Sequence, residues 1–199
     1  MSKKSSELNL TKIVPYLYVI LAVIGIVISF WLTYDKIQIL KNPNYKPICD
    51  ISPIISCGDV MGAKQSNILG VPNPIFGMFA FSLLLGFGLS LLAGATFKKW
   101  LWLVINTGAL VGFIFFVYLF SQGAFVLHAI CPFCFVIWMI TPPILWYTTL
   151  YNLKEGNLKL KTSIKNWMLK HHGDLLLLWY VAIFLTLIIK FWYYWKTII

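Results

Sequence analysis

Charge is scarce in this sequence, and one kind of charged residue is missing altogether. Only 11% of the 199 residues are charged, whereas soluble proteins carry about 25%. Arginine is absent, so that all sixteen basic residues are lysines, and these are spread over the chain. The net charge of +10 therefore does not form the basic patch that nucleic-acid-binding proteins use. This composition excludes an ordinary soluble domain and argues against a nucleic-acid-binding protein.

Long apolar stretches take the place of charge. Hydrophobic residues make up 60% of the chain, and a helix needs about 20 of them in succession to cross a bilayer. Five stretches have this length: Ile13–Tyr34, Pro74–Ala95, Trp100–Phe120, Ala129–Leu150 and Leu175–Trp195. The sequence predicts an all-α membrane protein in which four transmembrane helices form a bundle and the fifth is peripheral. We expect small residues to allow close helix packing, namely Gly86, Gly88, Gly94, Gly108 and Gly112.

Lysine placement predicts the orientation in the membrane. Ten lysines fall on one side of the five spans, at the N-terminus, between spans two and three, and between spans four and five: Lys3, Lys4, Lys12, Lys98, Lys99, Lys154, Lys159, Lys161, Lys165 and Lys170. Cytoplasmic segments carry the excess of basic residues. The protein is therefore expected in the inner (plasma) membrane, with its N-terminus in the cytoplasm. The long loop at residues 35–73 is then external.

All four cysteines fall on the external side in this arrangement, where disulfides persist. Cys49 and Cys57 lie in the long loop, and Cys131 and Cys134 form a CxxC pair at the start of span four. Four cysteines allow three pairings, and the residues alone do not choose among them. A helix N-terminus favours a thiolate, and two neighbouring pairs can exchange through mixed disulfides. The alternatives are a structural disulfide in the loop and buried, inert cysteines in the helix.

A metal site is not expected. Structural zinc sites use paired CxxC or CxxC with two histidines, and this chain has one CxxC and three histidines. His128 lies near that pair, whereas His171 and His172 are predicted on the opposite side of the membrane.

Asn73 and Trp138 are two further candidates for contact with a ligand near the CxxC pair. Asn73 stands between two prolines at the start of span two, which is typical of a helix cap. Its amide is alternatively a hydrogen-bond donor to a ligand carbonyl. Trp138 lies four residues after Cys134, on the same helix face one turn deeper. It is either an interfacial anchor or the wall of a pocket.

Together these segments resemble the vitamin K epoxide reductase family. The resemblance is carried by Cys49-Asp50, Ser56-Cys57, Asn73-Pro74-Ile75-Phe76-Gly77 and Cys131-Pro132-Phe133-Cys134, in the family's order and approximate spacing. The resemblance covers roughly residues 13–150, and the chain is more similar to microbial members of the family than to animal ones. The resemblance implies a catalytic bundle over residues 1–150, including the loop 35–73. Residues 151–199 then hold a lysine-rich connection and the fifth helix.

The resemblance also implies an activity and its residues. Electrons enter at Cys49 and Cys57, pass to Cys131 through a Cys57–Cys131 disulfide, and leave from Cys134 to a quinone such as ubiquinone or menaquinone. Asn73 is expected to bind a quinone oxygen and Phe76 to line the pocket. The family commonly has tyrosine at the position of Trp138, and an indole N–H donates a hydrogen bond but neither accepts one nor ionises.

The expected function is a membrane thiol:quinone oxidoreductase that supports disulfide bond formation in exported proteins. No fused thioredoxin-like domain is present in this sequence, so the expected partner is a separate periplasmic or extracellular thioredoxin-fold oxidase (DsbA-like). Within the same class the alternative is reduction of vitamin K or its epoxide. From another class, the alternative is a non-enzymatic membrane protein with structural disulfides.

Overall fold

The protein is almost entirely helical. The computed structural model describes residues 9–42, 44–52, 54–68 and 70–198, so Lys3 and Lys4 lie outside the described residues. The helices are α1 (Leu10–Lys41), α2 (Cys57–Gly62), α3 (Asn73–Leu92), α4 (Lys99–Ser121), α5 (Pro132–Lys154), α6 (Thr162–Lys170), α7 (His172–Lys190) and α8 (Trp192–Ile198). A small antiparallel pair, β1 (Asn67–Ile68) and β2 (Val71–Pro72), precedes α3.

Within the described residues, α1, α3, α4, α5 and α7 are long and apolar enough to cross a membrane. The prediction of an all-α membrane protein with five spans is thus confirmed. Several helix ends differ from the prediction. The helix α5 begins at Pro132 rather than Ala129, and α7 ends at Lys190, where the buried residue Phe191 separates it from α8.

The first span is longer than the sequence indicates, because α1 continues through residues 35–41. Asp35 and Lys36 look like the start of a polar loop, but both side chains are buried beneath the loop that follows. The Tyr45 hydroxyl donates to Asp35 Oδ1 at 2.8 Å. Lys36 Nζ donates to the carbonyl oxygen of Met61 and, at 3.2 Å, to Ser66 Oγ. The loop thus folds back over the C-terminal end of α1. Because the loop carries Cys49 and Cys57, we call this end of the bundle the cysteine end.

The helix α1 lies at the centre of the bundle, where α3 and α5 pack on it and α4 packs on α5. Its contact with α3 depends on three glycines that leave room for a neighbouring side chain. The Phe81 ring lies over Gly25, Ser29 Oγ lies over Gly77, and Tyr18 lies against Gly88. Of the glycines expected to pack closely, only Gly88 does so. An added Cβ would meet nothing within 4 Å at Gly86, Gly94, Gly108 or Gly112.

The helix α7 packs at the edge of the bundle, beside α5 and the turn that precedes α5. Ile183 and Leu187 of α7 join Phe116 of α4 and Trp138 of α5 in one buried cluster. The connection before α7 also contains α6, which the sequence did not predict. Met168 and Leu169 of α6 pack on the main core, so this connection is held against the bundle at the end opposite the cysteines.

The packing at Gly25 generates a prediction with a matched control. Replacing Gly25 with alanine puts a Cβ 2.5 Å from the Phe81 ring, so we expect the free energy of unfolding to fall by about 1–3 kcal/mol. Gly108→Ala adds its Cβ in open space and is expected to be neutral or slightly stabilising, because alanine favours a helix over glycine. Thermal unfolding of the purified proteins in one detergent measures both. Equal melting temperatures for the two variants would contradict this packing.

Candidate active site

The loop carries a disulfide between Cys49 and Cys57, whose Cα atoms are 5.6 Å apart. Both residues are buried, at 4% and 0% exposure. The residues alone leave open how the four cysteines pair. In the structure the two loop cysteines are joined to each other. Cys131 and Cys134 are free thiols. The structure therefore holds one oxidised and one reduced pair.

Asp50 and Ser56 fix the segment that carries Cys57. Ser56 caps α2, because its Oγ accepts the Asp59 N–H at 3.1 Å. Asp50 Oδ1 accepts the Gly58 N–H at 2.8 Å and the Ser56 hydroxyl at 3.2 Å. One carboxylate thus joins the residue after Cys49 to both neighbours of Cys57. This arrangement holds the two sulfur-bearing segments together independently of the disulfide bond.

A short parallel pairing brings the loop to the start of α5. The Ile130 N–H donates to the carbonyl oxygen of Ile54 at 2.7 Å, and the Ser56 N–H donates to that of Ile130 at 3.2 Å. Cys57 and Cys131 each follow directly after this pairing. Their sulfur atoms are 3.1 Å apart, although the residues are 74 positions apart in the chain. A disulfide bond is about 2.05 Å long, so the sulfurs need to move by only about 1 Å to exchange.

The chain reaches Ile130 through a π-helical turn, Gln122–Leu127. His128 follows with φ of +52°, a left-handed conformation that ends the π-helical turn. The Ala129 N–H donates to the carbonyl oxygen of Gly123 at 3.2 Å. A side chain at Gly123 would lie 3.2 Å from the Ala129 oxygen, so glycine lets this turn close tightly. The turn delivers Ile130 and Cys131 to the loop in extended form.

Cys131 is the N-cap of α5, and Pro132 occupies the first helical turn, where its missing N–H costs nothing. The Cys134 N–H donates to Cys131 Sγ at 3.4 Å. A hydrogen bond from the Cys134 thiol, with the backbone N–H groups of Phe133 and Cys134, holds the pKa of Cys131 below its ordinary value. Burial and the Asp50 carboxylate act in the opposite direction. Cys131 is thereby favoured as a thiolate, and a thiol of lowered pKa is the better leaving group in disulfide exchange.

Cys134 lies between two buried clusters. One contains the other three cysteines with Leu32 and Met61, and the second contains Trp138 with aromatic residues of α4 and α5. The Trp138 ring lies 4.8 Å from that of Phe120 and is 5% exposed. Trp138 is therefore a buried residue of this cluster rather than an exposed interfacial anchor.

Asn73 does not cap α3 with its side chain. Its Oδ1 accepts the Ile68 N–H at 3.1 Å, and its Nδ2 donates to the carbonyl oxygen of Gln65 at 2.7 Å. The amide thus holds the end of the loop at the start of α3. Phe76 is 39% exposed on the same helix. The ligand-binding roles of Asn73, Phe76 and Trp138 stay predictions.

Sequence reasoning missed the roles of Asp50 and Ser56 in placing Cys57. A signal for the second was present, because Ser56 and Asp59 have the spacing of a helix-capping pattern. Asp50 gives no such signal, since its bonds reach across the turn between the two cysteines. In the middle of the loop, α2 begins at Cys57, and a 3₁₀ turn, Lys64–Ser66, follows it.

The contact between Cys57 and Cys131 generates a second prediction. In the double variant Cys49→Ser/Cys134→Ser, Cys57 and Cys131 should form a disulfide under mild oxidation, because their sulfurs already touch. Adding Gly58→Ala should slow this reaction, since its Cβ would lie 2.6 Å from Asp50 Oδ2, whereas Gly62→Ala meets nothing within 4 Å. Peptide mass spectrometry without reduction measures the yield over time. Absence of the Cys57–Cys131 peptide, or equal rates for both glycine variants, would refute this geometry.

Comparison with known proteins matches this site to one family. Residues 16–149, from within α1 to near the end of α5, match the vitamin K epoxide reductase family. Subunit 1 of the vitamin K epoxide reductase complex of Mus musculus is 25% identical over 133 residues, which cover 60% of this chain and 79% of the mouse protein. All four cysteines lie inside the family match, and α6, α7 and α8 lie outside it. This multi-pass membrane protein belongs to the vitamin K epoxide reductase family and is a redox enzyme.

Proposed function

We propose that this protein is a thiol:quinone oxidoreductase, which oxidises a thioredoxin-fold partner and passes the electrons to quinone in the membrane. The observation that carries the proposal is the 3.1 Å contact between Cys57 of the loop disulfide and the free thiol of Cys131. A structural disulfide has no need of a free, buried cysteine against one of its sulfurs. The contact instead joins two pairs that exchange electrons without any large movement.

The exchange balances as two thiol–disulfide steps on each side. A partner thiolate attacks Cys49 and displaces Cys57, and the second partner thiol then releases Cys49, leaving the partner oxidised and the loop pair reduced. Cys57 attacks Cys131 in a Cys131–Cys134 disulfide and displaces Cys134. Cys49 then attacks Cys57, which restores the loop disulfide and frees Cys131. The structure contains an oxidised loop pair and two free thiols at α5. This arrangement matches the state that the last exchange step produces.

The thiols of Cys131 and Cys134 then need an acceptor for two electrons. A quinone supplies such an acceptor from within the lipid. The surroundings of Cys134 fit it, because this thiol borders a cluster of apolar and aromatic side chains that includes Trp138. Asn73 has a second amide hydrogen beyond the one donated to Gln65, and we propose that this hydrogen binds a quinone oxygen. Phe76 and Trp138 would flank the ring.

The proposed orientation puts the cysteine end outside the cytoplasm, in the inner (plasma) membrane. The orientation rests on the positions of the lysines. The connections between α3 and α4 and between α5 and α7 lie at the end of the bundle opposite the cysteines. In or next to these connections are Lys98, Lys99 and five lysines from residue 154 to 170. The loop disulfide then faces a compartment in which secreted proteins acquire disulfides.

Exposed isoleucines support a protein as the electron donor. Ile48 and Ile51, on either side of Cys49-Asp50, are 75% and 71% exposed, whereas Cys49 itself is 4% exposed. A folded partner with an apolar surface beside its reactive thiol can cover both side chains when its thiol approaches Cys49. A small dithiol needs neither of them.

Reduction of vitamin K or its epoxide is the second candidate, and the name of the mouse relative favours it. Trp138 is the residue that bears on this choice, since an indole neither accepts a hydrogen bond nor ionises. We therefore place quinone reduction ahead of epoxide reduction.

The proposal is tested with purified protein in phospholipid vesicles that contain quinone. With a reduced thioredoxin-fold oxidase as donor, the wild-type protein should reduce quinone, and Cys134→Ser should lose at least about 100-fold in rate because its electrons have no exit. Ile51→Asp should slow the protein donor by about tenfold and leave the rate with dithiothreitol unchanged. Asp59→Asn, at an exposed position of α2, is the matched loop control and should behave as wild type.

The outcomes separate the candidates. Equal quinone reduction by the wild type and Cys134→Ser would refute the relay to quinone. Turnover with vitamin K epoxide in place of quinone would favour the second candidate. Equal loss with both donors in Ile51→Asp would remove the argument for a protein partner.

A further inference from the structure

An apolar cavity of about 330 Å³ lies beside the first turn of α5. Three segments form its walls: the loop residues that pair with Ile130, the start of α5, and one face of α7. The lining side chains are all hydrocarbon: Ile54, Ile55, Ile130, Pro132, Phe135, Phe184, Leu187 and Ile188. Asn73, Phe76 and Trp138 are not among them. The cavity is therefore a separate space from the one that the predicted ring contacts describe.

The wall of the cavity that α7 forms lies outside the segment that matches the family. Phe184, Leu187 and Ile188 lie beyond residue 149, where the family match ends. Phe184 and Ile188 are 47% and 45% exposed, while Leu187 is buried in the Trp138 cluster. Because α7 is apolar enough to span a membrane, a cavity with half-exposed walls on this helix opens towards lipid. Its ligand has to arrive from the bilayer.

We propose that this cavity binds the hydrocarbon chain of the lipid-soluble electron acceptor, and that α7 thereby gives the enzyme its preference for long-chain quinones. The inference rests on the proposed function. A hydrocarbon chain fits walls without polar side chains, whereas the carbonyl oxygens of a quinone ring would lose their hydrogen bonds there. The ring therefore lies outside the cavity, towards Cys134, and the chain lies inside it.

The position of the cavity joins it to the relay. Phe135 in its wall directly follows Cys134, and Pro132 directly follows Cys131. The wall also includes Ile54 and Ile130, whose backbone bond brings the two cysteine pairs together. A chain held between α5 and α7 keeps its ring at the depth of Cys134. This position raises the local concentration of the acceptor where the thiols need it.

The test compares two tryptophan substitutions on adjacent residues of α7. Ile188→Trp fills the cavity, whereas Ile189, which is 70% exposed and does not line it, accepts tryptophan on the lipid side. With dithiothreitol as donor, we expect Ile188→Trp to raise KM at least about tenfold for a quinone with several isoprene units. Its KM for a quinone without a chain should stay unchanged. Ile189→Trp should match the wild type with both quinones.

Photo-crosslinking gives a readout that does not depend on turnover. A long-chain quinone with a diazirine on its chain should label the peptide 181–190 in wild-type protein and in Ile189→Trp, but not in Ile188→Trp. Excess unlabelled long-chain quinone should compete, and a diazirine on a phosphatidylcholine acyl chain should label the peptide less. Stronger labelling by the phosphatidylcholine probe, or a KM unchanged in Ile188→Trp, would overturn the inference.

The outcomes distinguish failure of the proposed function from failure of the quinone chain to bind at α7. A wild-type protein that reduces no quinone of either kind would remove the proposed function, and crosslinking with competition would still decide whether the chain binds at α7. A wild-type protein that reduces both quinones with no effect of Ile188→Trp would remove only the binding of the chain.

Discussion

The structure of this site depends on a two-bond pairing of backbone segments, in which Ile130 lies between Ile54 and Ser56. Without it, Cys57 belongs to a loop and Cys131 to a helix terminus, and no other described backbone hydrogen bond joins those two segments. With it, the two sulfurs are 3.1 Å apart. The surrounding features serve this pairing: Asp50 and Ser56 fix the residues on the loop side, and the π-helical turn with His128 presents Ile130 in extended form.

The proposed function joins two substrates that do not meet. A protein thiol stays in water and a quinone stays in lipid, so in this proposal the electrons cross the boundary through the enzyme. Cys49 is beside the exposed residues Ile48 and Ile51, whereas Cys134 borders the apolar cluster around Trp138. Cys57 and Cys131 lie between them and are both buried, which keeps water and other thiols away from the exchange. The two inner sulfurs are therefore accessible chiefly to each other.

Much of the architecture could be predicted from the sequence, because long apolar runs and a CxxC pair at a span's start are local signals. The pairing of this loop segment with Ile130 could not, since a single bridge leaves no recognisable periodicity in either segment. The end of α1 was misplaced because Asp35 Oδ1 and Lys36 Nζ form hydrogen bonds with loop residues that only the fold brings near. The packing glycines were partly misassigned for the same reason: Gly25 and Gly108 look alike in sequence, and only Gly25 lies against a ring. Asn73 was expected to cap α3 or to bind a ligand, and the cap was wrong, because its side chain binds Gln65 and Ile68 of the loop.

The order in which the four thiols are oxidised tests the central claim most directly. Fully reduced protein in quinone-free vesicles is mixed with quinone, samples are quenched with a mass-tagged alkylating reagent, and each cysteine is read by mass spectrometry. A relay through Cys57 and Cys131 predicts that the Cys131–Cys134 disulfide forms first, that a Cys57–Cys131 disulfide follows briefly, and that Cys49–Cys57 forms last. Formation of Cys49–Cys57 before any Cys131–Cys134 disulfide, or at an unchanged rate in Cys131→Ser, would contradict the account.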